Sequence, residues 1–347
     1  MKKMKPENIH AEEEIPTKTA QKQIHGAYAS EYDVPILLEF FNRPKTFSQV
    51  FAVIKQVRPA VLLLYQDGPR TACDDEENHL RCRKIAEDID WECTVYYWYQ
   101  TENQGCDPSG FLAQKWAFTL VEQCIVLEDD CVPARSFFPY CKELLERYKT
   151  DDRINYICGM NNLVQWKPER SSYFFGRRGS IWGWASWRRV VLDRYENYDW
   201  VNDAYLKELG KRWKPCRNWR DIEKRYRYCA KTGKQYFEVL GSERQLRHNA
   251  WNIIPSVNMI KNIGNEEGTH SDLELREYPR FWRRVMEMNA NEIPFPLKHP
   301  KEICPDNQYD RAMDPTWVQK RVMRIEGVLL KLYYRGIQIL WSKRRNR

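Results

Sequence analysis

From residue 34 onward the chain alternates short, nearly continuous apolar runs with longer stretches that are apolar on one helical face only. Val34 to Phe41 (VPILLEFF) is the first run, ended by Asn42, Arg43 and Pro44, and it has the length and composition of a buried strand. A helix is expected next, with Thr46 as its cap and Phe47, Val50, Phe51, Val53, Ile54 and Val57 along one face. Ala60 to Tyr65 repeats the strand pattern and stops in the turn Gln66-Asp67-Gly68-Pro69. Such a strand, helix, strand unit makes its two strands parallel. Glu76 to Asp88 reads as a helix, Glu92 to Trp98 as a third strand running into a polar turn at Gln100 to Gly105, and Ser109 to Gln123 as a further helix. Each strand of an open parallel sheet presents its C-terminal end to ligands, so these polar turns are expected to converge.

The fourth strand differs in how it ends. Ile125, Val126 and Leu127 drive straight into Glu128, Asp129 and Asp130. Three adjacent acids cannot be buried unpaired and need a cation, a hydrogen-bond network or open water. A divalent ion, Mg²⁺ or Mn²⁺, bridging these carboxylates to a diphosphate is one reading. A solvated turn is the other.

Beyond the acids, Arg135 to Tyr148 reads as a helix and Asn155 to Gly159 as a strand. Residues 173 to 188 are rich in glycine and aromatics and poor in periodicity, which suits either a packed loop or a floor for a sugar or acceptor made by Trp182, Gly183 and Trp184 with Trp187. Trp200 to Cys229 is charged and helical in character, Gln235 to Ala250 carries Glu238 and Glu243 on a helix, and Asn252 to Asn262 contains a strand.

Composition narrows the class. In a chain of 347 residues there is material for one large domain or two. The net charge is +8, yet residues 316 to 347 alone hold nine bases against Glu326, so the remainder is near neutral. That excludes a surface basic all over and points to one localised electrostatic task. In this tail Val318, Val322, Ile325, Leu329, Leu332, Ile339 and Leu340 follow near-helical spacing among the bases. Such a helix either lies on an anionic membrane surface or packs on the body with its basic side in water. No nucleic-acid motif accompanies the bases. Eleven cysteines without a C-x-x-C pair suggest reduced thiols in a cytoplasmic protein, peripheral on the inner face of the membrane if the tail binds lipid. Residues 1 to 32, rich in Lys, Glu, Gln and Ala, read as a tail without fixed structure. No apolar run is long enough to span a bilayer.

Several ordered segments together resemble the bacterial hemolytic-protein-like glycosyltransferases, which belong to the nucleotide-diphospho-sugar transferases. They are ILLEFFNRP from Ile36, YQDGPR from Tyr65, ENQGC from Glu102, VLEDDCVPARSFF from Val126, SIWGWASWRR from Ser180, IIPSVNMIKNIG from Ile253 and THS from Thr269. The acidic segment is more distantly similar to N-acetylglucosaminyltransferase I. The resemblance spans residues 33 to 300 and implies a GT-A fold: α/β, with a Rossmann-like, mostly parallel central sheet flanked by helices. Residues 301 to 347 are then an extension ending in the basic amphipathic helix.

What the resemblance implies is a metal-dependent glycosyltransferase, using a UDP-sugar or similar donor on a glycan or lipid-linked hydroxyl acceptor, with inversion, in surface glycan synthesis. It places Arg43, Asp67 and Asp129 at the donor nucleotide, and Asp130, Glu128 and His270 on the metal. Its general base falls at Glu238, where relatives carry Asp, with Glu243 as the alternative. A sugar-phosphate nucleotidyltransferase would want a glycine-rich loop after the first strand, and NRPKTF from Asn42 has none. A binding protein that has lost the base is the other alternative.

Overall fold

The computed structural model describes residues 20–70, 76–214, 216–264, 279–314, 318–330 and 333. Its centre is a nine-stranded sheet in the order β1-β4-β3-β2-β5-β9-β7-β10-β8. The strands are β1 (Ala20–Ile24), β2 (Ile36–Phe40), β3 (Val61–Gln66), β4 (Cys93–Tyr99), β5 (Gln123–Glu128), β7 (Ile154–Cys158), β8 (Tyr173–Gly176), β9 (Trp184–Trp187) and β10 (Trp251–Pro255). A two-stranded ribbon joins β6 (Cys131–Pro133) to β11 (Ile260–Asn262).

The four expected strands β2, β3, β4 and β5 are present and parallel. β7 and β10 run the same way, while β1, β8 and β9 are antiparallel to their neighbours. The sheet is thus mixed but mostly parallel. Ile36, Leu37 and Leu38 of β2 are all essentially inaccessible, as an interior strand covered on both faces requires.

Helices α1 (Pro44–Val57), α2 (Glu76–Ala86) and α3 (Cys106–Leu120) make the crossovers. Right-handed connections put α1 and α2 on one face and α3 on the other. Packing agrees: α1 lies on α2, whereas α3 meets α5 (Arg188–Val191) and α8 (Phe237–Arg247). Helix α4 (Phe137–Arg147) packs on β7 and β9. The charged stretch resolves into α6 (Asp203–Arg212) and α7 (Trp219–Thr232), which form with α8 a second apolar cluster around Leu206, Leu209, Tyr226 and Leu240. Helices α9 (Arg280–Met286) and α10 (Asn307–Ala312) follow, then α11 over residues 318–330.

Three expectations need correction. Residues 20 to 24, assigned to an unstructured tail, pair antiparallel with β4 from Ala20–Tyr97 to Ile24–Cys93. The exposed backbone edge of β4 supplies hydrogen bonds that a local polar sequence does not announce. Residues 173 to 188, expected as loop, contain β8 and β9, because the short runs YFFG and WASW are completed as strands only by their sheet neighbours. Thr46 does not cap α1. Its hydroxyl donates to the Arg43 carbonyl at 3.2 Å, and Pro44 starts the helix, where its missing N–H costs nothing.

Candidate active site

Strand order reverses at β2, whose neighbours are β3 on one side and β5 on the other. A crevice opens at such a switch, outside the strand carboxyl ends. Here it is a cleft of about 310 Å³ lined by Glu39, Arg43, Tyr65, Asp67, Asn103, Ser109, Glu128 and Asp129 among others. Ligand pockets begin at about that size. The four polar turns therefore converge as the sequence predicts.

Two of them are bound to one another. The Asp67 carboxylate accepts from the backbone N–H groups of Gly68 and Gln104 at 2.9 Å and of Gly105 at 3.1 Å, and from Asn103 Nδ2 at 2.9 Å. Burial raises its pKa, and those N–H donors oppose the rise. Asp67, expected at the donor nucleotide, thus first of all fixes the loop ahead of α3. Gly105, at the start of that helix, has φ of 85°, a backbone conformation that side-chain-bearing residues avoid.

Arg43 joins the other two turns. Its Nη1 donates to Asp130 Oδ2 at 2.8 Å, its Nε donates to Asp129 Oδ2 at 3.3 Å, and its Nη2 donates to Asp129 Oδ1. Burial alone would lower the guanidinium pKa, but the two carboxylates more than reverse it and raise it, while burial lifts Asp129 to about 6 against the pull of Arg43. Phe41 N also donates to Asp129 Oδ2, at 3.2 Å, and Asn262 Nδ2 to Asp130 Oδ1, also at 3.2 Å. Gly264 backs Asp130 so closely that a Cβ there would lie 2.3 Å from Oδ2.

This arrangement bears on the expected metal. Among the described residues no three His, Cys, Asp or Glu side chains form a group that could hold an ion, and His270 lies outside the described residues. Asp129 and Asp130 face Arg43 instead. Glu128 is different: it lines the cleft and has no hydrogen bond or ion pair among the described residues. One carboxylate is enough for Mg²⁺ or Mn²⁺ when substrate phosphates and water supply the remaining oxygens. The cleft fits an ion shared with a ligand and does not fit one held by the protein alone.

Glu39 is a site residue that the sequence reading passed over as part of an apolar strand. It sits in register with Glu128 across the parallel β2–β5 pair, so both side chains leave the same face of the sheet. Glu39 Oε1 is buried without a hydrogen-bond partner. Burial pushes the Glu39 carboxyl up to about 8, against the influence of Gln114 and Arg194, and burial with the neighbouring acids raises Glu128 as well. Raised in this way, the two carboxyl groups bring less negative charge to the cleft than their number suggests. A lone charged residue in an otherwise apolar strand, ILLEFF from Ile36, was the available signal.

The remaining site expectations fall elsewhere. Trp184 is core: it is 1% exposed, against Phe118 and Tyr156. Trp187 is also buried, its Nε1 donating to the Leu145 carbonyl. Trp182 is half-buried beside Met160, Met288 and Val164, and Gly183, at φ of 61°, packs on Ile260. None of these lines the cleft, so they do not form the expected sugar floor; Trp184 and Trp187 leave opposite faces of β9 and each is covered by packing there.

Glu238 opens α8 next to Phe237, whose ring lies against Gly110 on the cleft wall. Its Oε1 pairs with Arg225 and its Oε2 is buried without a hydrogen-bond partner. Burial raises its pKa, with Arg225 opposing. Glu243 is fully buried, accepting from Tyr205 and Arg247 inside the α6–α8 cluster. It does not line the cleft and packs within that cluster.

Comparison with known proteins adds little. No family model matches the chain and no curated protein matches it, so membership in the family that the motifs resemble is not shown. A solved apo structure of WbbM, described as a bifunctional glycosyltransferase, aligns with 63% of this chain at 9% identity and a TM-score of 0.31. The alignment spans 38% of that protein's chain. So distant a likeness carries no argument about this one.

Proposed function

We propose that the chain transfers a sugar from a nucleoside-diphosphate donor, a UDP-sugar in the first instance, to a hydroxyl acceptor. The observation that carries this reading is the cleft at the strand-order switch, where Arg43 is fixed between Asp129 and Asp130 and Glu128 has no hydrogen bond or ion pair among the described residues. Four carboxyl groups line the cleft against two guanidiniums, Arg43 and Arg70. Burial holds Glu39 and Glu128 toward their neutral forms, and a diphosphate would bring the negative charge that calls for a divalent cation, which Glu128 would hold. Bound there, the ion supplies charge neutralisation for the departing diphosphate.

The chain's own groups do the rest. Arg43 and Arg70 face the diphosphate, and Asp67 holds the loop against which the nucleoside rests. The acceptor oxygen bonds to the anomeric carbon as that carbon's bond to the diphosphate oxygen breaks. Glu238 takes the acceptor proton, and the nucleoside diphosphate leaves with the bonding electrons. A single displacement of this kind inverts the anomeric carbon. The Arg225–Glu238 pair favours a second reading, a binding protein that holds the donor without turning it over.

Calorimetric titration of UDP-, GDP-, CDP- and dTDP-sugars with and without Mn²⁺ tests the reading, with donor hydrolysis as the turnover arm. One donor class should bind in the presence of Mn²⁺, and Glu128→Gln should weaken binding of that metal–donor complex. Binding without hydrolysis or transfer supports the second reading. If the folded protein binds no nucleotide sugar in either condition, the proposal is wrong.

A further inference from the structure

The basic helix α11 is mounted with its apolar side outward. Successive helical residues turn by about 100°, so Val318, Val322, Ile325 and Leu329 fall within a sector of about 60°. They are 60%, 56%, 53% and 60% exposed respectively. A helix packing on the body of a protein would turn such a stripe inward. Here the inward side is Met323, Glu326, Gly327 and Leu330, all half-buried. Glu326 accepts from the Arg280 backbone N–H at 3.2 Å and faces the guanidiniums of Arg280 and Arg283, while Lys320 pairs with Asp221 of α7 at 2.7 Å. Polar contacts therefore orient the helix, and its aliphatic side chains are left in water.

The charge around the stripe identifies what covers it. Arg321 and Arg324 lie on one side of it, and Arg280, Arg283 and Arg284 line an open groove on the side of Glu326. Residues 316 to 347 carry a net +8 in sequence. A second copy would bring the same charge against itself. It would also need a narrow seam, whereas Val328, 54% exposed, lies about 20° beyond Arg321 and carries the exposed apolar face past that base. A wide apolar face with arginines within it and beside it suits a bilayer surface, where side chains enter the acyl boundary and bases meet phosphate headgroups.

We infer that α11 is a membrane-docking helix that lays Val318, Val322, Ile325 and Leu329 into the surface of an anionic phospholipid bilayer. This inference is independent of the sugar-transfer reading and is tested without any nucleotide.

The full chain is sedimented with phosphatidylcholine vesicles and with vesicles containing phosphatidylglycerol, at low and high salt. Wild type should sediment with the anionic vesicles only, and less so at high salt. Val322→Asp with Leu329→Asp should abolish sedimentation. Arg324→Glu should weaken it by at least about fivefold, the equivalent of 1 kcal/mol per base at an anionic surface. These side chains are exposed, so an unchanged melting temperature should accompany the loss. Wild type that stays in the supernatant with anionic vesicles overturns the inference, as does sedimentation indifferent to the aspartates. A dimer in solution that the aspartates dissociate, without vesicle binding, assigns the stripe to a second copy instead.

Discussion

Arg43 Nη1 and Asp130 Oδ2 lie 2.8 Å apart, although 87 residues separate them in sequence. With Asp129 they form a buried ionic cluster that ties the end of β2 to the end of β5. The acidic strand end that dominates the sequence pattern is thus stabilised by an arginine from the first βα turn. Removing that arginine leaves two carboxylates without a counter-charge. Arg43→Ala is expected to lose about 3–5 kcal/mol of stability, the range for breaking one side of a buried pair. Urea unfolding checks it; a loss below about 1 kcal/mol would place the pair among weak surface bridges.

Glu238 and Glu243 separate by assay. Glu238→Gln should leave folding and donor binding intact while lowering transfer by about 10²–10⁴, the usual worth of a positioned base. Glu243→Gln should instead lower the unfolding midpoint, because Tyr205 and Arg247 are built around a carboxylate. Transfer and urea curves on both variants, measured side by side, distinguish the roles. Equal loss of transfer without a stability change would assign Glu243 to catalysis.

Trp184 and Trp182 should also part. Trp184→Ala removes a buried ring and is expected to cost about 3–5 kcal/mol. Trp182→Ala, at a half-buried position, should cost less, and neither change should alter donor binding selectively. Thermal melts followed by donor titration measure both effects. A stable Trp184→Ala protein that fails to bind donor would return this ring to the site.

Asp306 gives a pH test. It caps α10 by accepting from the Gln308 and Tyr309 N–H groups at 2.9 and 3.0 Å, and it accepts from Trp166 Nε1 at 2.8 Å and Lys167 Nζ at 3.0 Å. Burial would raise its pKa, but these donors outweigh it and lower the pKa below the ordinary 3.8. A depressed carboxylate contributes stability above its unfolded pKa and loses it as pH falls through the folded value. Asp306→Ala should therefore be less stable than wild type by about 1–2 kcal/mol near neutrality. The gap should narrow below pH 3.8. Urea midpoints across an acid series report it; a gap that stays constant with pH would rule out the ionised cap.

The parallel core was legible because periodicity and turn chemistry are local. Strands β2, β3, β4 and β5 begin and end within a few residues of where apolar runs meet polar turns, and a buried parallel strand must be apolar on both faces. β8 and β9 were not legible, since four residues carry too little pattern and their pairing partners Trp251–Pro255 and Gln123–Glu128 are distant in the chain. β1 was missed for the same reason. Its Gln-Lys-Gln sequence is that of an edge strand, recognisable only once β4 offers an edge.

The sequence by itself determined that acids, an arginine and polar turns would gather at the carboxyl edge of a parallel sheet, and that a basic helix with an apolar stripe would run through residues 318–330. Tertiary structure decided the rest. It turned Arg43 onto Asp129 and Asp130, put Glu39 beside Glu128, drew Trp184 and Glu243 into packing, and set the α11 stripe outward. Local patterning fixes which residues share a strand or a helical face. Which group meets which charge, and which face meets water, depends on contacts between residues tens to hundreds of positions apart, and one chain's local order does not encode those.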